Sequence, residues 1–285
     1  MGHPNILDQL DRIQDLPALP AVAREVNALL CDPDTSIDKL SRTIEKDQAI
    51  ASSILKLVNS AFFGLSRRVG NIPHAVVLLG FNTVRNAVLA LSVVDLFKPV
   101  PFPGFDATLL WRHSIATAVT GRYLAQASGL YPPDDAFVGG LLHDMGKFLL
   151  SQFFQEDFQK AWELSEELGI PLHEAEREKI GINHAQVGKR LARKWKLPPG
   201  LTDAIGSHHA YKKSAQEPLL LILVHAADHL VNSLTQNRSR AIRQGLFPEA
   251  EKALGTILDD HENWFPEICE EIDSACRFFL KERKE

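Results

Sequence analysis

Cysteine is scarce in this chain. The three present, Cys31, Cys269 and Cys276, are too few for a disulfide framework, and no two stand in a CxxC pair. A reducing compartment, the cytoplasm, is therefore expected. Long apolar runs are missing too. The longest, Leu219 to Val224 and on through His225-Ala226-Ala227, falls far short of the ~20 residues that span a bilayer, so no membrane partner is expected. The first residues, MGHPNILDQLDRIQDLP, lack the basic-then-apolar order of a signal peptide, and Ile6 stands where an acylation signal after Gly2 needs Ser or Thr. These absences predict a soluble protein. Positive charge is not in excess either: a net charge of -5 gives no general pull toward nucleic acid. There is no internal repeat and no low-complexity run.

Alternation of apolar and polar residues is also absent, and what replaces it is helical periodicity almost end to end. Pro20 precedes AVAREVNALL, which Asp32-Pro33-Asp34 stops. Thr35 to Asp38 has the spacing of a capping box and opens IDKLSRTIEK. Asp47 caps QAIASSILKLVNSAFF, whose apolar face runs from Ile50 to Phe62 and which Gly64 ends. Asn71 and Pro73 open a short helix closed by Gly80, and Asn82 caps the next. The segment Lys98 to Phe105, with three prolines and a glycine, reads as a linker. Beyond it the helices are longer and end in the amphipathic FPEICEEIDSACRFFLKERK.

The second half carries an ordered series of imidazoles and carboxylates. His113, the pair His143-Asp144, His184, the pair His208-His209 and Asp228 each fall in a stretch that reads as helix or helix end. This ligand set suits Mn, Fe, Co, Ni or Zn. Seven such groups exceed what one tetrahedral ion needs and suffice for two ions side by side, a recurring way to activate water against a phosphate ester.

Taken singly, each residue has a plainer account. His113, after Trp111-Arg112 in an apolar helix, could be a hydrogen-bonded core histidine. His143-Asp144 with Lys147 one turn on could be a solvated helix face, or a metal edge with a cation for phosphate. Asp228 lies among Leu, Val and Ala, so burial demands a partner, either an arginine or a metal. His225 and His229 flank it, and one helix cannot aim all three at one ion, so both are read as supports or surface. Gly139, Gly140 and Gly146 each cost about 1 kcal/mol relative to Ala in a helix, which points to close approach of backbone or ligand. The order H…HD…H…HH…D is much more specific than any of its parts.

That order resembles the HD superfamily of metal-dependent phosphohydrolases, and within it the HDOD branch, the HD-related output domain of bacterial signalling proteins. The strings LPALPAVAREVNALLCDPDTSIDKLSRTIEKDQAIASSILKLVNSAFFG and IPHAVVLLGFNTVRNAVLALSV are similar to the N-terminal half of HDOD. GLLHDMGKFLL and HAQVGKRLARKWKLPPGLTDAIGSHH are similar to its C-terminal half. The resemblance implies an all-α fold, an HD-superfamily helical domain preceded by an N-terminal helical bundle. Residues 1–104 would form the N-terminal subdomain and 105–285 the metal-binding one. Together they would make one HDOD unit over about 15–235 with a C-terminal helical tail. It further implies that His113, His143, Asp144 and Asp228 hold a first metal and that His184, His208 and His209 hold a second, with Asp144 bridging. Lys147 matches the lysine that contacts phosphate, which leaves Asp144 and Lys147 as the candidate catalytic pair. Cyclic-dinucleotide phosphodiesterases of the related HD-GYP branch carry an acidic residue and a GYP signature after the double histidine. Here HHAYKKSAQEP has Ala210 and no GYP, which argues against that activity.

Two functions follow as expectations. One is a bacterial regulatory module that binds a nucleotide or other phosphorylated small molecule and relays its state to signalling partners. The other is an active phosphohydrolase. A third idea, nucleic-acid binding through Arg67, Arg68 and Arg85, rests on too thin a basic footprint, and surface solvation accounts for those arginines better.

Overall fold

A computed structural model describes residues 6–29, 35–60, 67–94, 96–97, 99–213, 215–235 and 243–281. Sixteen helices and no strand occur among the described residues, as the resemblance implied. In chain order they are α1 (Ile6–Arg12), α2 (Ala21–Leu29), α3 (Ile37–Glu45), α4 (Gln48–Val58), α5 (Ile72–Leu79), α6 (Phe81–Val94), α7 (Ala107–Ser128) and α8 (Pro133–Leu142). They continue as α9 (Met145–Phe153), α10 (Gln155–Leu168), α11 (Leu172–Ile180), α12 (His184–Lys194), α13 (Pro199–Ser207), α14 (Pro218–Thr235), α15 (Pro248–Asp259) and α16 (His261–Lys281).

Local chemistry sets most boundaries. Asp47 accepts from the backbone N–H groups of Ala49 and Ile50, and Asn71 accepts from that of His74, so both cap the helices expected of them. Two expectations shift, one by a residue and one by two. The cap of α3 is Ser36, which accepts from the Lys39 N–H, because Thr35 is occupied elsewhere, donating to the Leu29 carbonyl at 2.6 Å. Asn82 lies inside α6 and does not cap it. Gly80 at φ +85 turns the chain through 119° in one residue, so α6 begins at once. Asp32-Pro33-Asp34, Phe62, Gly64 and Lys98 lie outside the described residues.

The proline-rich segment after residue 98 closes into a tight turn. Phe102 and Phe105 bridge, stack at 4.9 Å and pack edge-on against Phe158, with Trp162 beside them. Gly104, at φ +85, faces the Trp162 ring, and a Cβ there would lie 3.1 Å from its Nε1.

The long α7 is the central rod, flanked by α8, α14 and α16, while α12 packs on α9 and α13. One apolar cluster runs from Leu10 in α1 to Phe279 in α16. The early helices are tied to the later ones by polar contacts as well. Asn27 donates to the Lys196 carbonyl at 2.9 Å, and Trp195 Nε1 donates to the Pro17 carbonyl at 2.8 Å. Arg85 and Asn86 of α6 both reach Asp135 in the first turn of α8, at 2.8 and 2.7 Å. Arg85 is therefore not a solvated surface arginine: it is buried and paired. Among the described residues no single helix is long and apolar enough to cross a membrane.

Candidate metal centre

Five parts of the fold bring the seven predicted residues to one place. His113 comes from the middle of α7, and Asp228 from α14. His184 is the first residue of α12, behind an Asn183–Gln186 capping box. His208 caps the C-terminal end of α13, and His209 follows it. His143 and Asp144 occupy the break between α8 and α9, not one continuous helix as the sequence suggested. His143 ends α8 in helical geometry, and Asp144 then opens α9 at φ −96 and ψ 9. The Asp144 carboxylate caps no backbone N–H of α9, so both its oxygens face the imidazoles.

The gathered groups form two sets, His113–His143–Asp228 and Asp144–His184–His208–His209, with ligand atoms in each set within 4.8 Å of one another. Asp144 joins them. Its Oδ2 lies 3.5 Å from His113 Nε2 and 3.3 Å from His143 Nε2, and its Oδ1 lies 3.1 Å from His184 Nε2 and 3.8 Å from His208 Nε2. Asp228 Oδ1 completes the first set, 3.0 Å from His113 Nε2 and 3.5 Å from His143 Nε2. Atoms bound at ~2.1 Å to one ion lie roughly 3.0 to 3.4 Å apart; the 3.0, 3.1 and 3.3 Å pairs have that spacing, and the other three are wider, at 3.5 to 3.8 Å.

The hydrogen-bond pattern tests whether these residues fit a cation. His143 Nδ1 donates to the Gly140 carbonyl at 2.6 Å, His208 Nδ1 to the Ile205 carbonyl at 2.8 Å, and His184 Nδ1 to Glu176 Oε2 at 2.7 Å. An acceptor on Nδ1 holds a proton there, so a ring that is neutral, or that gives up its second proton to an incoming ion, offers the Nε2 lone pair a metal ligand needs. The Nε2 atoms of His113, His143 and His208 and Oδ1 of Asp144 are buried without a hydrogen bond. Buried polar atoms are rarely left so. Four of them converging on one point is what a cation-binding cluster requires, and the donor set fits a divalent transition metal.

Electrostatics agree. Burial pulls the His143 imidazolium down, but Asp144 and Asp228 outweigh it and push its pKa up to about 10. Burial raises the Asp144 and Asp228 carboxyls, yet the neighbouring imidazoles hold both far below the usual range, helped at Asp144 by Lys147, 2.5 Å from its Oδ2. His208 and His209 are driven the other way, well below the ordinary imidazole range, by burial and then by the adjoining histidines. Because the folded His143 value lies above the ordinary ~6.5, the metal-free protein keeps that proton at neutral pH and loses it only as pH rises through about 10. Metal uptake at neutral pH is thus expected to expel protons, with affinity climbing as pH rises toward that region. Calorimetric titration in buffers of different ionisation enthalpy reads the release directly, and a heat independent of buffer would contradict it.

Two contributors escaped the sequence reading. Glu176 of α11 is fully buried, and its Oε2 accepts from both the backbone N–H and Nδ1 of His184, at 2.8 and 2.7 Å. Nothing in HEAEREKI marks it, since charged residues surround it. His173 stacks on His209 with ring centroids 4.1 Å apart, at the partly exposed rim.

A protein-family model, the HDOD domain, matches residues 16–211. The chain belongs to the HDOD family. Among solved structures it superposes on an HDOD domain protein of unknown function from Geobacter sulfurreducens, with TM-score 0.76 and 24% identity, covering 94% of this chain and 96% of that one. A protein from Shewanella amazonensis, provisionally termed a phosphohydrolase, gives TM-score 0.73 at 24% identity, over 95% of this chain and 96% of its own. These likenesses establish the HDOD fold. In sequence, an uncharacterised protein of Treponema pallidum is 29% identical over 219 residues, which is 76% of this chain and 42% of that protein. Ribonuclease Y of Geotalea uraniireducens is 27% identical over 194 residues, 59% of this chain and 36% of its own length. The chain spans less than half the length of the curated relatives it matches.

Proposed function

We propose that this HDOD chain is a regulatory module of the bacterial signalling type. Its His/Asp centre would hold one or two divalent transition ions and, beside them, a phosphorylated small molecule of the nucleotide class. The observation that carries this reading is the Asp144 carboxylate, whose two oxygens face two different sets of imidazoles, with Nδ1 of His143, His184 and His208 already engaged. When bound, such ions supply Lewis acidity toward phosphate oxygens. Lys147 would add a cation for the same phosphate. It and His113 remain 16% and 17% exposed in side chain, whereas His143 and Asp144 are fully buried. The relay would run along α8, which carries His143 at its C-terminal end and is held to α6 through Asp135 at its N-terminal end. Signalling partners would dock on the N-terminal helices.

Hydrolysis of a phosphoester is the second reading, favoured by the likeness to proteins named ribonuclease Y. In it Asp144 would help hold the ions, which would supply Lewis acidity toward the phosphate, and Lys147 would steady the phosphate charge. One experiment separates the readings: elemental analysis of purified protein, then binding and phosphate-release assays of that sample with nucleotides and cyclic dinucleotides. The regulatory reading expects bound metal and saturable ligand binding without turnover. Turnover that disappears in Asp144→Asn would establish the second reading, and protein free of metal after growth and reconstitution would end both.

A further inference from the structure

His225 stands one turn before Asp228 on α14 and is buried at 6% exposure, yet it is not placed to bind a metal. Its Nδ1–H donates to the His208 carbonyl at 2.7 Å, and its Nε2 accepts from the Phe247 N–H at 3.1 Å. The carbonyl fixes the proton on Nδ1, and the amide fixes the lone pair on Nε2, so both nitrogens are committed. The ring also lies flat on Phe247, with centroids 3.4 Å apart and planes 6° from parallel.

The carbonyl that His225 grips belongs to the peptide joining His208 to His209. α13 ends at Ser207, where the last carbonyls of a helix have no helical partner. That peptide lies in a turn closed by the Ala210 N–H donating to the Ser207 carbonyl at 2.8 Å, and His225 adds a bond to its outward carbonyl; its orientation sets the direction in which both side chains leave the backbone. Phe247, on the far side of His225, is the N-cap residue of α15, outside the residues that the family model matches.

We propose that His225 is a positioning residue. It locks the His208–His209 peptide in the orientation that presents both imidazoles to the centre, and it makes that orientation depend on the seating of α15 through the Phe247 amide. The inference rests on the metal reading above, and its test keeps the two separable.

The probe is Co2+, followed by competition with a chelating dye and by the ligand-field absorption of the bound ion. His225→Phe keeps an aromatic ring on Phe247 but removes both hydrogen bonds. Cobalt affinity is expected to fall about 10- to 100-fold, with an altered absorption spectrum, as when the outer partner of a ligand is lost. Phe247→Pro removes the N–H at a residue whose φ of −61 suits proline, and Phe247→Ala removes only the ring. The proline variant should lose more affinity than the alanine one, and this pair decides the matter if His225→Phe does not fold. A His225→Phe protein that melts earlier but binds cobalt with parental affinity and spectrum would reduce His225 to packing and overturn the proposal. Parent protein that binds no cobalt would overturn the metal reading and this inference together.

Discussion

Asp144→Asn is expected to release the metal while the protein stays helical. The carboxylate is the one group with an oxygen toward each set of imidazoles, 3.3 Å from His143 on one side and 3.1 Å from His184 on the other. An amide removes its charge and turns one of those oxygens into an N–H donor aimed at a lone pair. Losing even an outer partner of a ligand costs about 10- to 100-fold in affinity, so a shared ligand should cost at least that. Stability should fall as well, because Lys147 and a protonated His143 would face one carboxylate fewer. Removing one partner of a fully buried ion pair costs about 3–5 kcal/mol. Here the cost should be smaller, since Lys147 is 16% exposed and His143 can shed its proton. Elemental analysis, circular dichroism and a melting curve read the three effects. Metal content equal to the parent's would sink the bridging assignment.

The cluster was legible because its candidate ligands are chemically conspicuous. Imidazoles at helix ends and a lone carboxylate among Leu, Val and Ala at Asp228 are costly placements that need a reason, and the structure gathers them. The caps at Asp47 and Asn71 were legible for a different reason, that their bonds reach only two or three residues along the chain. The break at His143-Asp144 was hidden, since VGGLLHDMGKFLL continues a helical pattern with no proline or cap to interrupt it. Glu176 was hidden because burial alone distinguishes it from the other charged residues of α11. For His225 the sequence left support or surface open; it is buried, and its partners His208 and Phe247 could not be read because they lie far away in sequence. α15 was passed over. Its buried Ala250, Leu254 and Leu258 form too thin a stripe to stand out behind a polar stretch.

The glycines make the strongest mechanical prediction. Gly140 and Gly146 flank His143-Asp144, and both lie where another backbone passes too close for a side chain. A Cβ on Gly140 would sit 2.7 Å from the Thr117 carbonyl oxygen and the Ala118 backbone of α7. A Cβ on Gly146 would sit 1.9 Å from the His184 carbonyl oxygen and 2.9 Å from the Gly188 nitrogen. Backbone cannot swing aside as a side-chain tip can, so Gly146→Ala must push α9 away from α12. Those helices begin at Asp144 and His184, the two residues 3.1 Å apart at the heart of the centre. Alanine favours helix over glycine by about 1 kcal/mol, whereas forced overpacking costs about 1–3 kcal/mol and occasionally more. At 1.9 Å the steric side should win. Gly146→Ala is therefore expected to lower the melting temperature and to weaken metal binding together. Gly70→Ala, with no atom within 4 Å of its added Cβ, should leave both near the parental values. A Gly146→Ala protein as stable and as metal-retentive as the Gly70→Ala control would show that this close crossing does not set the geometry of the centre.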